Sequence, residues 1–208
     1  MKITEIKRYV EENILPEYDN FDKGHDISHA KKVIDDSLVI AKDFDVCTDM
    51  VYVIAAYHDL GLRLGRENHE KNSGGILLGD KELERWFSLQ EIIIMKEAVE
   101  DHRASNDYEP RTIYGKIVAE ADRDIVYNTI LTRTIQYSIK NCPDFNHEQH
   151  FDRCLNHITS KYGENGYLKL WLETEKNLAG LREIREALKN EKQFRTDFDR
   201  LFGEILKG

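Results

Sequence analysis

The chain has 208 residues, of which 40% are apolar and 33% charged, a mix typical of a globular, water-facing protein. Its net charge is -9, from 39 acidic and 30 basic residues, and a field of that sign repels polyanions and disfavours binding of long nucleic acid. No apolar run approaches the length of a membrane span, and three cysteines without CxxC spacing indicate a reducing cytoplasm rather than a disulfide framework.

Apolar residues recur at helical intervals, and the alternating pattern typical of strands is nearly absent. After an N-terminal helix, a second helix is predicted from near Asp26 to near Phe44. Thr48 is the predicted N-cap of a helix over 49–60, with Gly61 as its stop. Because that segment is apolar nearly all round, we expect it to be central and buried.

The next helix is predicted to begin near His69 and to end by Gly79. Ser88 and Glu91 have the spacing of a capping box, which predicts the start of a helix that runs to about His102.

One further helix is predicted from Thr112 to Tyr127, and the chain closes with charged helical segments after Pro143. A leucine-rich stripe in these segments predicts a core or a homodimer interface. The sequence therefore predicts an all-α fold: one domain over 1–208, with a core over about 22–127 and a C-terminal helical extension over about 144–208.

Four side chains that can bind a metal stand at apolar helical positions. His58 and Asp59 end the most apolar segment, His29 precedes an apolar stripe, and Asp122 lies on an apolar helix face. Burying such groups without partners costs several kcal/mol, a cost that a bound cation removes. The mixed nitrogen and oxygen donors predict a divalent cation, namely Mn, Fe, Co, Ni, Mg or Zn, with coordination positions left open for water and substrate.

The segments that carry this pattern are HDISHAKKV at 25–33, AAYHDLG at 55–61 and KIVAEADRDI at 116–125. Their H…HD…D order resembles the HD-domain phosphohydrolase superfamily. The resemblance implies an HD-domain-like helical bundle and hydrolysis of phosphate monoesters or diesters, often in nucleotides. It also implies that the metal ligands are His29, His58, Asp59 and Asp122.

A narrower resemblance covers the rest of the chain. DHRASNDYEPRTIYGKIVAEADRD at 101–124 and KYGENGYLKLWL at 161–172 are similar to a bacterial branch of that superfamily, a branch that brings no firm substrate. Some nucleotidases of the superfamily carry an acidic residue just after the HD pair, where Leu60 to Leu62 stand here. That role is unfilled unless Glu67 supplies it.

Further site residues follow from position near the proposed ligands. Asp59 is predicted to be catalytic, and proton transfer is predicted for His69, His102 or Glu67. His69 and His102 are equally candidates for binding a second metal, so these two roles compete. Cations expected to bind the substrate phosphate are Arg63, Arg66, Lys71, Arg103 and Lys116. Another histidine group, His147, His150 and His157, lies among charged residues and predicts a solvated face rather than a metal site.

Three functions remain open from the sequence. The first is a cytoplasmic, metal-dependent phosphohydrolase whose substrate is a small phosphorylated metabolite, in particular a nucleotide. The second is a non-catalytic HD scaffold that senses a nucleotide or only holds a metal. The third is an HD-type oxidase with a di-iron centre, which would require His69 and His102 as ligands.

Overall fold

The computed structural model describes residues 2–22, 24–104, 106 and 108–207. Within those residues it contains ten α-helices and no β-strand, which confirms the all-α fold predicted from the helical periodicity. The chain divides into two compact units, Met1–Arg123 and Asp124–Gly208. The interpretation of the whole chain as one domain with a helical extension stays a prediction.

The described residues of the first unit form six α-helices and four short 3₁₀ segments. Its helices are α1 (Lys2–Asn13), α2 (Ile27–Ile40), α3 (Thr48–Tyr57), α4 (His69–Gly79), α5 (Leu89–Asp101) and α6 (Ile113–Asp122). Every residue of α3 from Met50 to Tyr57 is buried, and α2, α5 and α6 pack around it, as its continuous apolar sequence predicts. The core of this unit is therefore built around the helix that ends just before His58.

Side-chain caps set where several of these helices begin. The Asp26 carboxylate accepts hydrogen bonds from the backbone N–H groups of Ser28 and His29, and so fixes the first turn of α2. Ser88 and Glu91 form the predicted capping box at the start of α5. Each cap satisfies N–H groups that a helix start leaves without partners.

The second unit contains α7 (Tyr127–Asn141), α8 (His147–Tyr162), α9 (Glu175–Lys189) and α10 (Glu191–Lys207). Phe151, Phe194 and Phe198 are fully buried at its centre, with Leu181 and Ile184 from α9 beside them. Much of the predicted leucine-rich stripe therefore packs inside this unit; whether any of it also forms a homodimer interface stays a prediction.

Three predicted helix ends are wrong. The cap of α3 is Cys47 rather than Thr48, and α3 ends at Tyr57, after which a 3₁₀ segment, Leu60–Leu64, carries the chain through Gly61. The predicted helix from Thr112 to Tyr127 breaks at Arg123, where the backbone becomes extended before α7 begins. The apolar periodicity of the sequence continues past Tyr57 and past Arg123, because buried side chains on both sides of each break keep the apolar spacing.

No described helix has the length and apolarity needed to cross a membrane.

Candidate metal centre

Four of the side chains singled out in the sequence meet at one point of the first unit. The Nε2 atoms of His29 and His58 lie 3.2 Å apart, and the Asp59 Oδ2 atom lies 3.1 Å from His58 and 3.6 Å from His29. Asp122 Oδ1 lies 3.2 Å from His29 Nε2 and 3.8 Å from His58 Nε2. These donors come from the first turn of α2 and from the C-terminal ends of α3 and α6, so the helix ends bring them together.

A second group shares the same carboxylate. Asp59 Oδ1 lies 3.4 Å from His69 Nε2 and 3.5 Å from His102 Nε2, while its other oxygen faces His29 and His58. His69 begins α4, and His102 follows the last residue of α5. Asp59 thus lies between two clusters of donors, each of which could hold a metal ion.

Three of the histidines are oriented by the same local hydrogen bond. The Nδ1 atom of each lies near the carbonyl oxygen three residues earlier: His58 near Ala55 at 2.8 Å and His102 near Val99 at 2.6 Å. His69 makes the longer version, 3.2 Å from the Arg66 carbonyl. A carbonyl oxygen only accepts, so Nδ1 carries a proton, and Nε2 is the nitrogen that would present a lone pair to a bound cation. This is the tautomer that a metal-binding imidazole needs.

Interactions within the cluster favour the ionised forms of its two carboxylates, despite their burial. Burial disfavours the ionised form of Asp59, but the charge of His58 and the hydrogen bonds from His102 and His29 outweigh it and hold the pKa of Asp59 well below its usual range. Burial likewise opposes the charged form of Asp122, yet the hydrogen bond from His29 lowers its pKa to about 2. Both carboxylates are therefore ionised at neutral pH.

The histidines respond in opposite directions. Burial alone would lower the pKa of His29, but hydrogen bonds to Asp122 and Asp59 raise it to about 9. The pKa of His102 is also raised, because its hydrogen bond to Asp59 outweighs the effect of burial. The pKa of His69 is lowered by burial and by the neighbouring charge of His102. Protons on His29 and His102 occupy the place of positive charge that a divalent cation would take.

The geometry and chemistry of the cluster fit a divalent cation. Adjacent ligands on a six-coordinate ion with bonds of about 2.1 Å lie about 3 Å apart, close to the 3.1 to 3.6 Å between Asp59 Oδ2 and the His29 and His58 nitrogens. The C-terminal ends of α3, α5 and α6 also point their partial negative charge at this region. Imidazole and carboxylate donors together suit Mn, Fe, Co, Ni or Zn.

The predicted phosphate-binding cations differ in the residues that they contact. Arg103 lies beside the second group, because its guanidinium donates at 3.2 Å to Glu70, whose carboxylate lies 3.5 Å from His69 Nδ1. Arg63, Arg66 and Lys116 pair with Glu17, Asp22 and Glu109. Lys71 and Glu67 are exposed, and neither contacts the donor clusters among the described residues.

Two residues of the site were missed in the sequence. Glu70 is a buried carboxylate next to His69, and its spacing with Ser73, Gly74 and Leu77 marks the buried face of α4, a signal that could have identified it. Tyr18 is fully buried and its hydroxyl contacts the backbone of the HD pair. No sequence signal distinguishes Tyr18 from an ordinary core tyrosine.

The histidines of the second unit differ from expectation in one respect. His147 is half exposed and lies 3.2 Å from Asp199, and His157 is exposed, as a solvated face predicts. His150 is instead buried, with its Nδ1 atom 2.7 Å from Ser138 Oγ. Its assignment to a solvated face was therefore wrong, because α8 turns this position toward α7. The described part of this unit contains no group that could hold a metal.

Comparison with known proteins gives a match over the region that contains the cluster. Residues 26–125 match the model of a family described as HD domain, a range that runs from the cap of α2 to just beyond Asp122. A solved structure of a predicted HD superfamily hydrolase from an uncultured Thermotogales bacterium is 22% identical to this chain. The alignment covers 75% of this chain and 84% of that one, with a TM-score of 0.49. A search of curated proteins returned no match.

Proposed function

We propose, from the match of residues 26–125 to the HD domain family model, that this chain is a metal-dependent phosphohydrolase whose substrate is a small phosphorylated metabolite, a nucleotide monoester or diester. The observation that carries the proposal is the convergence of His29, His58, Asp59 and Asp122, with the His58 ring oriented by the Ala55 carbonyl oxygen. Such a set would hold one divalent cation and leave coordination positions for water and substrate.

A cation bound there would lower the pKa of a bound water and polarise a phosphoryl oxygen. The chain's own residues would do the rest. Asp59 and Asp122 balance the positive charge, and the Nδ1 hydrogen bond of His58 keeps its ring from turning. Arg103, directed toward the second group by Glu70, is the cation best placed to bind a phosphate oxygen and to offset charge that builds in the transition state.

The proton for the leaving group has competing sources. His69 and His102 both face Asp59 Oδ1, and either serves as a donor only while its Nε2 atom is not bound to a metal. Glu67 is exposed and lies outside the cluster contacts, so it would have to approach with the substrate.

A second candidate function rests on the shared carboxylate. Two donor groups joined by Asp59 are also what a di-iron oxidase requires, with His69 and His102 as ligands of the second ion. Metal content separates the two functions: iron in both positions together with oxygen consumption favours the oxidase, and phosphate release with Mn, Co, Ni or Mg favours the hydrolase.

The first experiment is a phosphate-release screen of the purified protein with those four metals. Its panel contains nucleotides, cyclic nucleotides and sugar phosphates, and diester substrates are followed by loss of substrate. Asp59→Ala should abolish turnover, whereas Asp35→Ala, the same change at an exposed position of α2, should leave it unchanged. Absence of turnover by a wild-type protein that binds metal would reject the hydrolase and leave the sensor or the oxidase.

A further inference from the structure

Tyr18 lies in the 3₁₀ segment Leu15–Asn20, and its hydroxyl is fully buried beside the end of α3. The hydroxyl donates to the Ala56 carbonyl oxygen at 2.9 Å and accepts from the Asp59 backbone N–H at 3.3 Å. One side chain, 41 residues away in sequence from Asp59, thus bridges the backbone on both sides of His58.

This bridge replaces a hydrogen bond that the helix end lacks. In a continuing α-helix the Asp59 N–H would donate to the Ala55 carbonyl four residues earlier. The imidazole of His58 occupies that carbonyl at 2.8 Å, and Asp59 leaves helical geometry with φ -110 and ψ 3. A buried N–H left without an acceptor is costly, so the Tyr18 hydroxyl stabilises the backbone conformation that lets the His58 ring bond to Ala55.

That conformation decides where two consecutive donors point. Asp59 directs one carboxylate oxygen at each donor group, and a rotation of its backbone would move both oxygens. Tyr18 also packs near the His58 ring, with ring centroids 6.3 Å apart. Asp59 lies only 3.1 to 3.5 Å from the Nε2 atoms of His58, His69 and His102. A small shift of the backbone at this helix end would therefore change the geometry of both donor groups.

We propose that Tyr18 is a positioning residue for the metal centre, holding the Ala56–Asp59 backbone so that His58 and Asp59 face the cation together. The proposal rests on the proposed function only in requiring that the cluster binds a metal. Tyr18 lies outside residues 26–125, so the chain adds this support from its N-terminal segment to the matched domain.

The test compares Tyr18→Phe with Tyr57→Phe. Both tyrosines are fully buried and both substitutions remove a bonded hydroxyl, but the Tyr57 hydroxyl bonds to the Asp80 carboxylate and not to the backbone at the HD pair. Each protein is titrated with Co²⁺, whose visible absorption reports coordination geometry, and backbone amide exchange of Asp59 is followed by NMR in the metal-free protein.

We expect Tyr18→Phe to weaken Co²⁺ binding about 10-fold, to change the Co²⁺ spectrum, and to speed Asp59 amide exchange about 10-fold. Tyr57→Phe should change none of these three quantities, even if it lowers the melting temperature as much as Tyr18→Phe does. An unchanged Co²⁺ affinity and spectrum in Tyr18→Phe would overturn the proposal, and so would an equal loss in Tyr57→Phe.

Two wild-type measurements keep the proposal testable if Tyr18→Phe does not fold. An Asp59 amide that exchanges without protection, or a wild-type protein that binds no Co²⁺, would each overturn it. Failure of the proposed function is distinguishable: a wild type that binds Co²⁺ and depends on Tyr18, yet hydrolyses no phosphate ester, refutes the hydrolase and leaves the positioning role standing.

Discussion

At the scale of single residues, Asp59 is the position on which the candidate centre depends. Its two oxygens face different pairs of histidines, at distances from 3.1 to 3.6 Å. His58 and His102 each direct Nε2 toward it by donating Nδ1–H to a carbonyl three residues earlier. Removing one histidine should therefore affect one donor group, whereas removing Asp59 should affect both.

Metal content should show this division. At saturating Mn²⁺ we expect two ions per wild-type chain, one in His102→Ala, and almost none in Asp59→Ala, because only Asp59 belongs to both groups. Elemental analysis after gel filtration measures the ratio, with His157→Ala, at an exposed position of the second unit, as control. Wild-type metal content in His102→Ala would show that the second group holds no ion.

The thiol of Cys154 offers a pH-dependent prediction at the same scale. Burial raises the pKa of Cys154 to about 11, against the opposing charge of Arg153. At pH 8 its thiolate population, and hence its alkylation rate, should be about 100-fold lower than for an unperturbed thiol. Mass spectrometry after iodoacetamide treatment should find Cys47 and Cys142 modified first, and equal modification of all three in urea.

The raised pKa of Cys154 also determines how its contribution to stability changes with pH. The unfolded thiol ionises near its ordinary pKa of 9.0 while the folded one stays neutral, so the contribution of Cys154 to stability falls as pH rises from 9.0 to about 11. Below that window it does not vary. The decline should be absent in Cys154→Ala.

At the scale of elements, Gly61 sets the distance between the HD pair and α4. A Cβ atom at Gly61 would lie 2.0 Å from the His69 carbonyl oxygen and 2.6 Å from the Ser73 nitrogen, both backbone atoms. The 3₁₀ segment after Asp59 therefore approaches α4 so closely that only glycine fits. This contact brings His69 to Asp59.

Gly61→Ala should force the two elements apart and destabilise the first unit by at least about 2 kcal/mol, with loss of the second metal group. Gly75→Ala is the matched control, because no atom lies within 4 Å of a Cβ at that position of α4. It should stabilise the helix by about 0.5 kcal/mol. Urea unfolding of both variants, followed by Trp86 fluorescence in a Trp171→Phe background, measures the difference.

Arg111 and Asp101 form a second connection between elements. The Arg111 backbone N–H and guanidinium both donate to the buried Asp101 carboxylate, and the guanidinium also donates to Glu100 and to the Glu97 carbonyl. These bonds tie the segment before α6 to the end of α5, next to His102.

Arg111→Ala would leave the Asp101 carboxylate buried without its main partner. Breaking a fully buried pair costs about 3–5 kcal/mol, and because Arg111 is partly exposed we expect about 2 kcal/mol. Lys81→Ala, which removes an exposed pair with Glu84, should change stability far less. The same Trp86 assay applies, and equal effects of the two substitutions would show that the buried contact contributes little.

At the scale of the whole molecule, the two units have separate hydrophobic cores. One cluster is built from residues between Ile6 and Ala121, the other from residues between Ile125 and Leu201. All the candidate metal ligands lie in the first unit. The candidate metal centre therefore belongs to the first unit, with its own hydrophobic core.

A fragment ending at Arg123 should therefore fold and keep Co²⁺ affinity within about threefold of the full chain, since it contains a complete core and every donor. Circular dichroism and Co²⁺ titration of the fragment test this. A fragment that is unfolded would support the interpretation of the chain as one domain over 1–208.

Much of the architecture follows from local sequence. Helical periodicity and caps depend on neighbours within four residues, so α2, α4 and α5 were predicted within a few residues of their observed bounds. His29, His58, Asp59 and Asp122 were identified because polar groups at apolar positions need partners. The helix ends at Tyr57 and Asp122 were not, since apolar spacing continues across both breaks.

The sequence by itself determined the helical class and singled out the four candidate donors, because both depend on residue type and short-range spacing. It did not predict α7, which follows the break after Asp122. Only the tertiary structure decided that Asp59 lies between two donor groups, that Glu70 holds Arg103 beside His69, and that Tyr18 supports the backbone of the HD pair. The Arg103–Glu70 and Tyr18–Asp59 contacts join residues 33 and 41 positions apart, and no local sequence pattern encodes contacts at such separations.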